Sequence, residues 1–228
     1  MSTVNREDHG DRKRRIRSYV QRGGRITSAQ QRALEEHWPQ YGIDYEPSPL
    51  NFEQVFGRNA ERILEIGFGN GELLVATAAE NPDTDFIGVE VHEPGVGHCL
   101  LRLHEQSLTN VRLINHDAID VLNRQIPDGA LHGVNLFFPD PWPKKRQHKR
   151  RIVQPDFVML LGRKIAPGGF FHAATDWANY AEHIDRTVTE TPVFRAIKTE
   201  TSKRPETKFE LRGKRLGHEI WERTYRRV

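Results

Sequence analysis

Residues 61–72, ERILEIGFGNGE, restrict the fold more than any other stretch of the chain. A mostly apolar segment of strand length runs into Gly67, Gly69 and Gly71, and the chain then continues as "ELLVATAAEN", a helix-forming sequence. Glycines at alternate positions let the backbone turn sharply and approach a ligand closely. In an open α/β sheet such a turn lies at the carboxyl end of a strand, where ligands bind. The pattern is E-x-G-x-G-x-G. The dinucleotide fingerprint G-x-G-x-x-G would require its third glycine where this chain has Glu72.

The rest of the chain extends this unit. Strand-like segments "DFIGVEV", "VRLINHD", "LHGVNLFF" and "GGFFHAAT" alternate with helix-like "PGVGHCLLRLHEQSL", "AIDVLNRQI", "QPDFVMLLGRKI" and "DWANYAEHIDRTVTE". Pro94 suits the first turn of its helix. The alternation predicts a doubly wound, mostly parallel sheet with helices on both faces. Two more strands are expected in "KFELRG" and "HEIWERTY", joined by a basic turn. Upstream, Thr27 or Ser28 caps a short helix, "AQQRALEEHW", that Pro39 is expected to stop.

Charge is segregated along the chain. Residues 1–25, 144–151 and 203–228 carry net charges of +5, +6 and +5, so the remainder of a chain whose total is +3 carries −13. An acidic body with basic surfaces suits a polyanion, because phosphate contacts release counterions. A mean hydropathy of −0.69 fits polar arms on a folded body. The expected organisation is a flexible basic arm over residues 1–25 and one domain over 26–228. Within that domain, 26–60 form a short helix and loop, 61–138 the cofactor-binding half and 139–228 the substrate-binding half. No run is long and apolar enough for a membrane span, and no secretory h-region opens the chain. With Cys99 as its one cysteine, the protein is expected in the cytoplasm.

Acidic residues recur at the predicted strand ends. Glu65 would repel a pyrophosphate but favour a cationic sulfonium and ammonium, which turns the expectation from NAD towards S-adenosylmethionine. Glu90, at the second strand end, is placed to accept both ribose hydroxyls of either cofactor. Asp117, at the third, either accepts from an adenine amine or caps the following helix. Cys99 lies in an apolar helical pattern and reads as core. His116, His132, His148 and His172 lack metal-ligand spacing, so no metal is expected.

After the fourth strand comes "PDPWPKKRQHKRR". Prolines on both sides restrict Asp140, and Trp142 offers a flat apolar surface. The block Lys144–Arg151, with Arg146, Gln147, His148, Lys149, Arg150 and Arg151, is suited to the phosphate backbone of a nucleic acid. Together with "LEIGFGNGELL", "GVEVHEPGVG", "PGGFFHAATDWANYAEH" and "RPETKFELRGKRLGHEIWERTY", this motif closely resembles the bacterial tRNA (guanine-N7)-methyltransferases of the TrmB family, from about residue 62 onward.

The resemblance implies a class I, Rossmann-like, S-adenosylmethionine-dependent methyltransferase sheet, mostly parallel with an antiparallel last strand. It further implies S-adenosylhomocysteine as product and a variable-loop guanine of tRNA as methyl acceptor. By the same resemblance Glu65, Gly67, Gly69, Gly71, Glu90, Asp117 and Asp140 belong to the cofactor site, with Asp140 at the catalytic centre. Lys144, Asp176, Thr207, Lys208, Phe209 and Glu210 would contact substrate, and Asp176 could also cap a helix. Two other functions remain open from the residues: an NAD-dependent oxidoreductase, and a non-catalytic RNA-binding protein on the same scaffold. The state of assembly, monomer or homodimer, is open too.

Overall fold

The computed structural model describes residues 16–20, 24–197, 210 and 219–228. The elements run α1 (Ser28–Tyr41), α2 (Phe52–Phe56), β1 (Glu61–Ile66), α3 (Glu72–Glu80), β2 (Thr84–Val89), α4 (Glu93–Glu105), β3 (Val111–Ile114) and α5 (Ala118–Arg124). They continue with β4 (Leu131–Phe137), a 3-10 helix (Lys145–Arg150), α6 (Pro155–Lys164), β5 (Ile165–Thr175), α7 (Ala178–Thr189), β6 (Phe194–Ile197) and β7 (Trp221–Arg227). Among the described residues the strands form one seven-stranded sheet, ordered β3-β2-β1-β4-β5-β7-β6. β1 to β5 pair in parallel, and β7 enters antiparallel between β5 and β6.

Two apolar layers cover the sheet. On one face Leu64, Ile66, Ile87, Val134 and Phe171 pack with side chains of α5, α6 and α7. On the other, Phe86, Val111 and Leu113 meet α3, α4 and α1. Successive residues such as Phe86 and Ile87 point to opposite layers and are both fully buried, which explains the continuous apolar runs in the sequence. Pro94 and Pro155 sit in the first turns of α4 and α6, where a missing N–H costs no helical hydrogen bond.

Three departures from the sequence expectation have physical causes. α1 begins at the expected cap: Thr27 and Gln30 form a reciprocal capping box. It runs through Pro39 to Tyr41, however, because Tyr41 is buried against α4 and donates its hydroxyl to the Leu103 carbonyl at 3.2 Å. Pro39 forgoes one bond, to the Glu35 carbonyl, and the buried Tyr41 contact outweighs that loss. The outer antiparallel neighbour of β7 is Phe194–Ile197, where the sequence led to no strand; the expected strand was "KFELRG". Of that segment only Glu210 lies within the described residues, and it is helical. Finally, Ile16–Val20, expected within a flexible arm, lies against the body of the protein, as detailed below.

Gly71 ties the glycine turn to α4. It has φ +74°, and a Cβ added to it would lie 2.3 Å from Cys99 Sγ and 2.6 Å from Cys99 Cβ. Burial, reinforced by the charge of Glu65, raises the Cys99 thiol pKa well above its ordinary range and keeps it a packing group. Gly71→Ala is expected to destabilise the fold by about 3 kcal/mol, combining left-handed strain with overpacking. Urea denaturation measures this, and a loss below about 1 kcal/mol would mean that α4 yields easily.

Candidate active site

The functional groups gather at the carboxyl ends of β1, β2, β3 and β4. Gly67, Gly69 and Gly71 all have positive φ, at 71°, 59° and 74°. Beside Gly67 and Gly69 an added Cβ would meet nothing within 4 Å, so their backbones face open space. Gly67 N–H donates to the Val89 carbonyl at 2.8 Å, which fixes the start of the turn beside the end of β2.

Glu90 fixes the remainder. Its Oε2 accepts from Gly69 N at 2.9 Å, and its Oε1 accepts from Val91 N at 2.7 Å and His92 N at 2.9 Å. Its backbone N–H donates to the Ile114 carbonyl, and its own carbonyl accepts from Asn115 Nδ2 at 2.7 Å. One residue therefore ties the ends of β1, β2 and β3 together. Asp117 caps α5 by accepting from Ile119 N at 2.9 Å. Glu65 is buried at the end of β1.

Most of these groups line two adjoining cavities, of ≈ 200 and ≈ 450 Å³, that share Tyr19, Gly67, Glu90, Val91, Phe137, Phe138 and Asp140. Asp117 and His116 belong to the smaller, Glu65 and Glu72 to the larger. The His116 ring stacks on Tyr45 with centroids 3.7 Å apart. Asp140 is exposed at the junction of the two cavities.

The turn bearing Asp140 has Phe138 at φ 51° and Trp142 at φ 47°. Non-glycine residues in this region cost about 1–3 kcal/mol each and cluster where surroundings enforce them. Phe138 N–H donates to the Ala174 carbonyl at 2.8 Å. Trp142 is buried; its Nε1 donates to the Ser18 carbonyl at 2.9 Å, and the Arg150 guanidinium covers its ring at 3.7 Å. The indole thus supports the turn from beneath instead of offering a free flat surface. Arg150 also donates to the carbonyls of Arg17 and Tyr19, so Ile16–Val20 is held as a strap beside the cavities.

The basic block divides accordingly. Lys144, Lys145, Arg146 and Lys149 are exposed, and Gln147 and His148 are half-buried. Arg151 departs from the expected RNA contact: it is 2% exposed, donates to Pro141 O and to Asn179, and lies over the Tyr180 ring. Burial lowers the pKa of its guanidinium. Its donors are thus spent on the protein itself, unlike those of the exposed cations beside it. Asp176 ends the β5 turn half-buried, but the α7 N-cap is Trp177 and not Asp176. Glu210 is buried, whereas Thr207, Lys208 and Phe209 lie outside the described residues. The strap, Asn115 and the Tyr45–His116 stack escaped the sequence analysis. The strap is held through the backbone carbonyls of Arg17, Ser18 and Tyr19, so no residue type in the sequence signalled it.

A parallel sheet with an antiparallel β7 next to its last strand, and an acid-lined groove opened by a glycine turn, together define a class I methyltransferase. Residues 59–223 match a family described as "Putative methyltransferase". The chain is 51% identical to a tRNA (guanine-N(7)-)-methyltransferase of Nitrosococcus oceani over 99% of its own length and 98% of the relative's. It is 52% identical to the protein of the same name from Alkalilimnicola ehrlichii, over 97% of each. The chain belongs to this tRNA (guanine-N7)-methyltransferase family. Its fold is shared with the 16S rRNA methyltransferase KamB (TM-score 0.56, 15% identity, covering 78% of this chain and 92% of that one). It is shared also with TrmN from Thermus thermophilus (TM-score 0.55, 16% identity, covering 77% and 47%).

Glu90→Ala would strand three backbone N–H groups and is expected to destabilise the protein by about 2–4 kcal/mol. Glu90→Gln, which keeps one accepting oxygen, should cost less. Urea unfolding of the two variants checks the order, and equal stability of Glu90→Ala and the wild type would refute the role given to this carboxylate.

Proposed function

We propose that the protein transfers the methyl group of S-adenosylmethionine to N7 of a guanine in the variable loop of tRNA, in the cytoplasm. The observation that carries this reading is the exposed Asp140, held on a constrained turn where two acid-lined cavities meet, in a chain whose full-length relatives bear the tRNA (guanine-N(7)-)-methyltransferase name.

The groove suits the cofactor. Its cavities fall near the common range of small-molecule pockets, about 300–1,000 Å³. The open space beside Gly67 and Gly69 is what close backbone approach requires. When bound, S-adenosylmethionine supplies an activated methyl group on a sulfonium. A carboxylate has about four lone-pair sites. Three are used on Glu90, and one remains for a ribose hydroxyl. Asp117 spends Oδ1 on its helix cap, which leaves Oδ2 for the adenine amine. Glu65 favours the positive charge at the other end. A pyrophosphate would meet Glu65 and Glu72 in the larger cavity, which counts against the dinucleotide alternative.

Guanine N7 has a lone pair and no hydrogen, so the attacking atom needs no base. Asp140 orients the purine and stabilises the positive charge it gains. In this reading Asp176 and the segment Thr207–Glu210 contact the substrate, as the resemblance implies. Lys144, Lys145, Arg146 and Lys149 neutralise flanking phosphates, with Gln147 and His148 beside them.

Mass spectrometry of nucleosides from tRNA incubated with the protein and S-adenosylmethionine tests the reaction; absence of 7-methylguanosine would end the proposal. Asp140→Ala should slow single-turnover methylation by two to three orders of magnitude, about 3–4 kcal/mol, with a far smaller change in cofactor affinity. Asp140→Asn should retain more. The rate should show no essential base titrating near neutrality, and a steep rise over roughly pH 6–8 that vanishes in Asp140→Asn would instead indicate proton abstraction. Replacing Lys144, Lys145, Arg146 and Lys149 by Ser should flatten the log–log salt dependence of tRNA binding by about 0.7–0.9 per lost contact. An unchanged slope would turn this face away from RNA.

A further inference from the structure

Arg151 sits in a block of cations, yet its contacts are of another kind. Its Nε donates to Pro141 O at 2.9 Å, the carbonyl one residue past Asp140. Its NH2 donates to Asn179 Oδ1 at 2.8 Å, and its NH1 reaches Asn179 O at 3.5 Å. The guanidinium lies 4.8 Å from the Tyr180 ring centroid. Asn179 and Tyr180 belong to the first turn of α7, which starts two residues after Asp176. Arg151 therefore bridges the two loops that carry Asp140 and Asp176.

The other supports of the Asp140 turn act at its ends, on Phe138 and Trp142. Among the described residues, the bond to Pro141 O is the one that grips the backbone beside the carboxylate. A lysine would not substitute for it. Its ammonium is a point charge on a flexible stem, whereas the planar guanidinium directs donors towards two acceptors at once.

We propose that Arg151 is a positioning residue for methyl transfer: it sets the place of Asp140 relative to the Asp176 loop by clamping Pro141 O to Asn179. The proposal rests on the function proposed above. Misplacing a catalytic group by about 1 Å can cost about a hundredfold in rate. Arg151 is accordingly expected to control turnover and not RNA affinity, unlike the exposed cations beside it.

Arg151→Lys and Arg151→Met test this in the full chain, together with Asn179→Ala and Asn179→Asp. Asn179 is exposed on the surface of α7, so its variants keep the test valid should the buried Arg151 variants fail to fold. Single-turnover rates at saturating tRNA and S-adenosylmethionine should fall about 10- to 100-fold in Arg151→Lys and about 3- to 10-fold in Asn179→Ala. Asn179→Asp, which keeps the acceptor, should restore the rate. tRNA affinity and its salt slope should stay at wild-type values in every variant. Weaker tRNA binding with a shallower salt slope and an unchanged rate would make Arg151 a phosphate ligand and overturn the proposal. Full turnover in folded variants with only stability lost would overturn it as well. Hydrogen exchange across residues 138–144 gives a readout independent of activity. Faster exchange in Arg151→Lys and Asn179→Ala supports the clamp, and unaltered exchange refutes it. If the wild-type protein methylated no guanine, the proposed function would fail while the exchange result still judged the clamp.

Discussion

The Glu90 carboxylate is the constraint on which the site depends. Three backbone N–H groups, from the glycine turn and from the start of α4, converge on its two oxygens. A glycine-rich turn gains its shape at a high entropic cost; Gly67 and Gly71 are held by backbone carbonyls, and the carboxylate holds Gly69 between them. The same carboxylate is well placed to address a ligand, so the group that builds the cavity also faces into it. In the proposed reading, structural and binding roles are not alternatives. They share one set of lone pairs, and the small number left over is what limits how the ligand can be held.

A comparable economy shapes the cationic segment after β4. Six cations in eight residues look equivalent along the chain, but the 3-10 helix sorts them by direction. Four point outward, while Arg150 and Arg151 turn back against Trp142 and Tyr180. Aromatic faces and backbone carbonyls accept a guanidinium with little loss, because it is weakly hydrated and planar. A surface suited to polyanions and the frame of the Asp140 turn thus come from one short segment.

Much of this arrangement was legible in the sequence, and the rest was hidden for identifiable reasons. The glycine spacing, the alternation of apolar runs and the acids at Glu65, Glu90 and Asp117 depend on local sequence, and each lies where expected at a strand end. β6 escaped because four residues, FRAI, with two exposed, carry almost no periodic signal; its pairing with β7 defines it. Pro39 misled because a tertiary contact of Tyr41 outweighs a local breaker near a helix end. Arg151 was hidden by its neighbours, since residue type distinguishes a buried arginine from an exposed one only through what surrounds it. Strap residues Ile16–Val20 bind through carbonyls, which every residue has.

The place of β7 bears on how the protein is made. β6 is made before β7, but among the described residues its one strand neighbour in the sheet is β7, more than twenty residues later. β1 to β5 can assemble as they are synthesised, leaving the outer edge of β5 open and β6 without a ladder. Until β7 arrives and slots between them, the nascent chain presents two unpaired strand edges that invite association with other chains. A sheet closed by inserting a later strand between two earlier ones therefore gives this fold a distinct interval of vulnerability as it folds, one that a sheet grown in sequence order would not have.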